Sequence, residues 1–200
     1  MSRQQNAGAE NTLNGTEGKI FQLAKPYLTV RNNEYHTRSA ITFALRLLEI
    51  VGGDRDIVIP AVILHDTGYD SLSEELISRA WGPQKERHIT RMHEQEGAKI
   101  AASVLRDVDY DPSKTAEILQ IIDGHDTRHA ALSINDQIVR DADKLTRYAK
   151  DLASWVPFFS STPLEGAARL ERLVDEWFFL PVSKEIARAE LAQRRLEAGQ

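Results

Sequence analysis

The ten residues Ile57-Val-Ile-Pro-Ala-Val-Ile-Leu-His-Asp66 decide how this chain is read. Eight apolar residues in a row leave no polar face, so Ile57 to Leu64 belongs in a core, as a buried helix or a strand. No neighbouring stretch offers a strand to pair with it. Pro60 sits near the start, where a helix tolerates proline. The segment therefore predicts a central buried helix. It runs straight into His65-Asp66, an imidazole and a carboxylate that are costly to desolvate unless something pairs with them. The ordinary alternative is a histidine capping the helix, with an aspartate in the turn beyond.

Outward from this segment the pattern is helical almost throughout. Ile20, Leu23, Ala24 and Tyr27 form a first amphipathic stretch. Glu34 to Val51 repeats apolar residues at three- and four-residue steps, and Gly52-Gly53 closes it. Asp54 or Asp56 can cap the buried helix. Further helices are expected at Glu94 to Val108, at Pro112 to Ile122 with Gly124 near its end, at Asp136 to Asp151, at Ala167 to Leu180 and at Ser183 to Leu196. Trp155 to Pro163 reads as a loop. Residues 1–15, rich in Asn, Gln and Gly, read as a flexible leader. Residues 16–200 read as one all-α domain, a helical bundle completed by the C-terminal helices.

Bulk properties narrow the functions. The chain has 200 residues, no cysteine and a formal net charge of −5. A chain of this length can bury roughly 70% of its unfolded surface and needs no staple to fold. The absence of cysteine excludes a thiolate zinc site and a disulfide framework, and fits a cytoplasmic location. The acidic balance argues against a nucleic-acid polymer as partner, while leaving room for a small anionic substrate beside a bound metal. No apolar run approaches the roughly 20 residues of a membrane span.

The histidines carry the most information. All six lie between His36 and His129. His36 falls on the apolar face of its helix with Ala40, Phe43, Ala44 and Leu47. His93 is similarly placed, four residues before Gly97, where another helix or a substrate could approach closely. His125 follows Ile121 and Ile122 on an inward face. Asp143 sits beside the stripe of Ala142, Leu145 and Ala149, a position that demands a partner. Taken singly, each has an ordinary reading as a satisfied core residue or, for Asp143, as an ion pair with Lys144 or Arg147. His88 and His129 lie in polar surroundings and read as solvated.

As an ordered set, His36, His65-Asp66, His93, His125 and Asp143 resemble the HD-domain superfamily. The local matches are Leu64-His65-Asp66-Thr67-Gly68, His93-Glu-x-x-Gly97-Ala98 and Asp141-Ala-Asp-Lys-Leu145, and the resemblance spans roughly residues 34 to 149. It implies an HD-domain helical bundle and a metal held by His36, His65, Asp66 and Asp143. In two-metal members the aspartate of the pair bridges, and residues matching His93 and His125 take the second ion. Asp141 competes with Asp143 for the last ligand, and the position just before Lys-Leu favours Asp143. Asp126 forms a second His-Asp dipeptide, but follows a polar turn and is not expected to be the pair.

The ligand types suit one or two divalent transition metals: Mn, Fe, Co, Ni or Zn. Such an ion lowers the pKa of bound water towards about 7 and neutralises phosphoryl charge. Lys144, Arg147 and Arg128 are expected to reach phosphate oxygens, with solvated cations as the ordinary reading. Where stringent-response hydrolases of the family carry Glu-Asp after the pair, this chain has Tyr69-Asp70. Asp70 then acts as an acid or base beside Asp66, or orients a ligand histidine. The leading expectation is a phosphohydrolase acting on a small phosphorylated metabolite or nucleotide. A di-iron oxygenase and a non-catalytic, metal-stabilised ligand-binding module are the alternatives. Specificity is expected from the loops at Tyr69 to His88 and Trp155 to Pro163, and a homodimer through the C-terminal helices is left open.

Overall fold

A computed structural model of the protein describes residues 12–80, 85–149 and 163–198. Among them every regular element is helical: α1 (Gly15–Ala24), α2 (Asn33–Val51), α3 (Arg55–Leu64), α4 (Glu74–Ala80), α5 (Arg87–Asp107), α6 (Pro112–Ile122), α7 (Ile134–Leu145), α8 (Pro163–Trp177) and α9 (Pro181–Ala198). Short 3₁₀ turns stand at Lys25–Tyr27, Val30–Asn32 and Thr67–Ser71. None of the described helices is long and apolar enough to cross a membrane.

The axis of the molecule is α3, as its composition predicts. Every residue from Ile57 to Leu64 is buried, with α1, α2, α6 and α7 packed around it. Asp54 caps it by accepting the Asp56 N–H at 2.9 Å. Pro60 is not in the first turn but well inside the helix. Its missing N–H leaves the Asp56 carbonyl without a helical donor. The Tyr110 hydroxyl donates to that carbonyl instead, at 2.5 Å. A side chain from beyond α5 thus fills the gap that proline opens.

Glycines end helices where the sequence places them. The chain leaves α2 through Gly52 and Gly53, at φ 77° and 109°, and leaves the end of α6 through Gly124, at φ 131°. Gly68 and Gly97 serve a different purpose. A Cβ on Gly68 would lie 1.9 Å from the His93 carbonyl oxygen and 2.4 Å from the Gly97 nitrogen. The turn after His65-Asp66 therefore rests directly on the backbone of α5, the close approach that Gly97 suggests from sequence.

Other boundaries move for identifiable reasons. α5 begins about two turns before Glu94, because buried Ile89 and Thr90 extend its inward face. α7 stops at Leu145 rather than running on towards Asp151. There the Thr146 hydroxyl donates to the Asp143 carbonyl at 2.5 Å. α8 ends at Trp177, short of Leu180, because the Phe179 and Leu180 N–H groups are taken by Asp141 at 3.0 and 2.9 Å. Helix α4 and the turn at Thr67–Ser71 carry a small core of their own: Tyr69, Leu72, Ile77, Ala80 and Ile89. Sequence periodicity was too short there to anticipate either. Most of the expected leader, and the Trp155 to Pro163 loop up to residue 162, lie outside the described residues. The last residues of that leader are ordered, since Asn14 caps α1 with Glu17 in a reciprocal capping box.

Candidate metal centre

Five elements deliver six donors to one place. His36 comes from the first turns of α2, His65 is the C-cap of α3, and Asp66 follows it. His93 lies within α5, His125 in the turn after α6, and Asp143 near the end of α7. None of the six is more than 6% exposed.

The donors divide into two groups around Asp66. His36 Nε2 lies 3.2 Å from His65 Nε2 and 3.2 Å from Asp143 Oδ1. Asp66 Oδ2 faces this group, 3.5 Å from His36 Nε2 and 3.6 Å from His65 Nε2. Asp66 Oδ1 faces the other, 3.6 Å from His125 Nε2 and 3.9 Å from His93 Nε2. The two histidines of that second group are 3.5 Å apart. Donors bound about 2.1 Å from one ion sit roughly 3.0 Å apart at right angles and about 3.4 Å apart at the tetrahedral angle. The observed separations are of that size, so the residues fit two divalent ions sharing one carboxylate. Three overlapping donor groups, His36–His65–Asp143, His65–Asp66–His125 and His93–His125–Asp126, meet the requirement of mutual proximity.

Backbone carbonyls fix the ring orientation. His65 Nδ1 donates to the Val62 carbonyl at 2.8 Å, and His125 Nδ1 to the Ile122 carbonyl at 2.9 Å. With Nδ1 so engaged, each ring turns Nε2 to the centre, where loss of its proton would free a lone pair for a metal. The His93 ring is held by stacking: it lies 4.1 Å from the Tyr69 ring, nearly parallel to it. The Arg31 guanidinium covers Tyr69 at 4.1 Å. Arg31 and the following Asn32 both adopt left-handed backbone, at φ 55° and 61°. A pair of non-glycine residues in that region is rare, and here it brings Arg31 to the site.

The electrostatics keep the carboxylates charged. Burial alone would raise the Asp66 pKa, but His65, the His125 hydrogen bond and His36 hold it well below the ordinary range. Burial is likewise overcome at Asp143 by the Arg147 guanidinium, 3.2 Å away, and by His36 and His65. His93 is pulled down to about 4 by burial and by the neighbouring His125. Burial pulls on His125 too, yet Asp66, Asp126 and Glu94 outweigh it and push it up to about 9.

Two acidic residues stand differently from expectation. Asp126 Oδ2 lies 3.8 Å from His93 Nε2, at the second donor group. It is not the pair aspartate, but the polar turn it follows is pinned in place. Buried Glu94 accepts the N–H groups of Asp126 and Thr127, both at 2.8 Å, and the Arg91 guanidinium at 2.9 Å. Asp70 is exposed at the end of its 3₁₀ turn and is not brought to the donors. Asp141 faces away from Asp143 and binds the start of the α8–α9 connection.

A cavity of about 390 Å³ opens onto the donors; His36, Asp66, Asp126 and Asp143 line it. Six cations also line it: Arg31, Lys85, Arg128, Arg140, Lys144 and Arg147. Trp177 and Phe179 close one side. Of the three cations expected from sequence, Arg147 is paired with Asp143. Arg128 is paired with Asp136 at 2.7 Å and also bonded to the Gln120, Asp123 and Ala130 carbonyls. Arg31, Lys85 and Arg140 had no periodicity or motif to mark them. His88 is exposed and away from the cavity, whereas His129 is exposed at its rim.

No curated protein and no solved structure is significantly similar to the chain. A family model, HD domain, matches residues 33–148, which include all six donors and more than half of the chain. The chain belongs to the HD-domain family.

Proposed function

We propose that the protein is a metal-dependent phosphohydrolase that acts on a small phosphorylated molecule with two divalent ions. One observation carries this reading: the two oxygens of Asp66 face two separate histidine pairs at the floor of a cavity ringed by cations. When bound, the ions supply an activated water and offset negative charge on the phosphoryl oxygens.

The side chains do the rest. His36, His65 and Asp143 form one donor set and His93, His125 and Asp126 the other, with Asp66 shared between them. Arg147 neutralises Asp143, which keeps this carboxylate ionised inside the protein. Lys144 lines the cavity next to Asp143, and its ammonium stands where it can neutralise a phosphoryl oxygen as charge builds. The volume suits a metabolite or a nucleotide.

Plasma mass spectrometry of wild type, Asp66→Ala and His93→Ala, with phosphomonoester and phosphodiester assays, tests the proposal. About two metals per chain are expected in wild type and fewer in both variants, with turnover lost in Asp66→Ala. Two irons with oxygen consumption and no phosphatase activity would replace this reading with an oxygenase. Metal and phosphate binding with no turnover would replace it with a binding module.

A further inference from the structure

Arg140 is a buried cation that forms no ion pair among the described residues. It is 5% exposed, lines the cavity, and spends only Nη2, on the Arg128 carbonyl at 2.5 Å. Its Nε and Nη1 have no hydrogen-bond partner. The carboxylates of its own helix are engaged elsewhere: Asp136 by the Arg128 guanidinium and the Leu132 N–H, both at 2.7 Å, Asp141 by the Phe179 and Leu180 N–H groups, and Asp143 by Arg147. The Phe179 ring supports the guanidinium from one face, 4.6 Å away. Phe179 is in turn fixed through its N–H on Asp141. This is a built and preorganised position, not a loose surface arginine. A buried guanidinium with two idle donors is expensive unless an anion completes it.

Lys144 stands one turn further along α7 on the same face, also lining the cavity. Among the described residues its ammonium makes no hydrogen bond or ion pair. Residues 140 and 143, the latter a metal donor, are separated by about 4.5 Å along the helix axis. Over a comparable span Arg147 pairs with Asp143, whereas Arg140 makes no hydrogen bond or ion pair with the six donors and is anchored instead on the Arg128 carbonyl and the Phe179 ring, a position that suits a neighbouring group on the same molecule.

We propose that Arg140 binds a second anionic group of the substrate, beyond the phosphoryl group that Lys144 neutralises, so that the preferred substrate carries two phosphate-like groups rather than one. This rests on the phosphohydrolase reading for its first group, but the second subsite can be tested without turnover. Arg140 is here a specificity-determining residue. It acts on the distal group and takes no part in the bond that breaks.

Calorimetry on the metal-loaded protein compares methylenediphosphonate, with two anionic groups, and methylphosphonate, with one. Wild type is expected to bind the first at least about tenfold more tightly, the worth of charge-assisted hydrogen bonds made to one extra group. Arg140→Gln should reduce that ratio about tenfold, and Arg140→Lys should retain part of it. Metal content and thermal melting check that each variant is folded and loaded, and the lysine variant serves if the glutamine variant is not. A wild-type ratio near one, or a ratio unchanged in Arg140→Gln, overturns the proposal. An intact ratio without hydrolysis of any phosphate ester would sink the hydrolase and leave the subsite. Hydrolysis with a ratio of one would do the reverse.

Discussion

Glu94 binds Thr127 twice, accepting its backbone N–H at 2.8 Å and its hydroxyl at 2.6 Å. Together with the Asp126 N–H, these bonds fix the turn that presents His125 and Asp126. Glu94→Gln keeps the shape but weakens every bond to the carboxylate and substitutes a donor on one side. The second metal should bind about 10- to 100-fold more weakly, as for other groups that orient ligands. Titrating metal-free protein with Mn or Co and following the two binding steps separately checks this. Unchanged affinity in both steps would contradict it.

The contact between Gly68 and Gly97 predicts an unequal pair of alanine variants. In Gly68→Ala the new carbon would meet the His93 carbonyl oxygen at 1.9 Å, and neither backbone can yield cheaply. A destabilisation of about 3 kcal/mol or more is expected. In Gly97→Ala the nearest atom is the His65 carbonyl oxygen at 3.3 Å, and the roughly 1 kcal/mol that alanine gains inside a helix offsets the mild crowding, so a much smaller change is expected. Denaturant midpoints of the two variants measure the order.

Metal binding and stability should respond to pH in opposite directions. The folded pKa of His125, about 9, lies above the roughly 6.5 of an unfolded histidine. Its stabilisation of metal-free protein is therefore complete below about pH 6.5 and is lost as pH rises through about 9. A metal needs the same nitrogen deprotonated, so its affinity rises across that window. Melting temperatures of metal-free protein between pH 6.5 and 9 should fall, while apparent metal affinity grows. His125→Asn should flatten both slopes.

The bond from Tyr110 to the Asp56 carbonyl is open to a double-mutant cycle. Tyr110→Phe alone should cost about 1 kcal/mol, since the carbonyl is already denied a helical donor by Pro60. With Pro60→Ala an N–H is restored, and the effect of removing the hydroxyl should shrink. Additive effects in urea unfolding would show that the two residues do not serve the same carbonyl.

How much of this was legible in the sequence depends on distance along the chain. The run from Ile57 to Leu64, the glycine stops and the inward faces of His36 and His93 are local patterns, and periodicity reads them directly. Asp141 and Asp143 point to different sides of one helix, and only the fold shows that Asp141 meets the Phe179 and Leu180 N–H groups while Asp143 faces His36. Asp126 looked like a residue after a polar turn because the group that orders the turn, Glu94, lies 32 residues earlier. Arg31 reaches the cavity through left-handed backbone that its residue type does not advertise. Arg140 shares a helix with Asp143, yet its lack of an ion pair among the described residues is a fact about its neighbours and not about its position.

The donors are gathered from elements that begin at His36 and end at Asp143, about half the chain apart. An ion seated among them works as a removable cross-link, tying together segments that would otherwise be free to separate once the core loosens. The lifetime of this protein against proteases should therefore track the supply of metal, falling when chelators strip the ions and recovering when they are returned. Metal availability would then set how much of the protein persists.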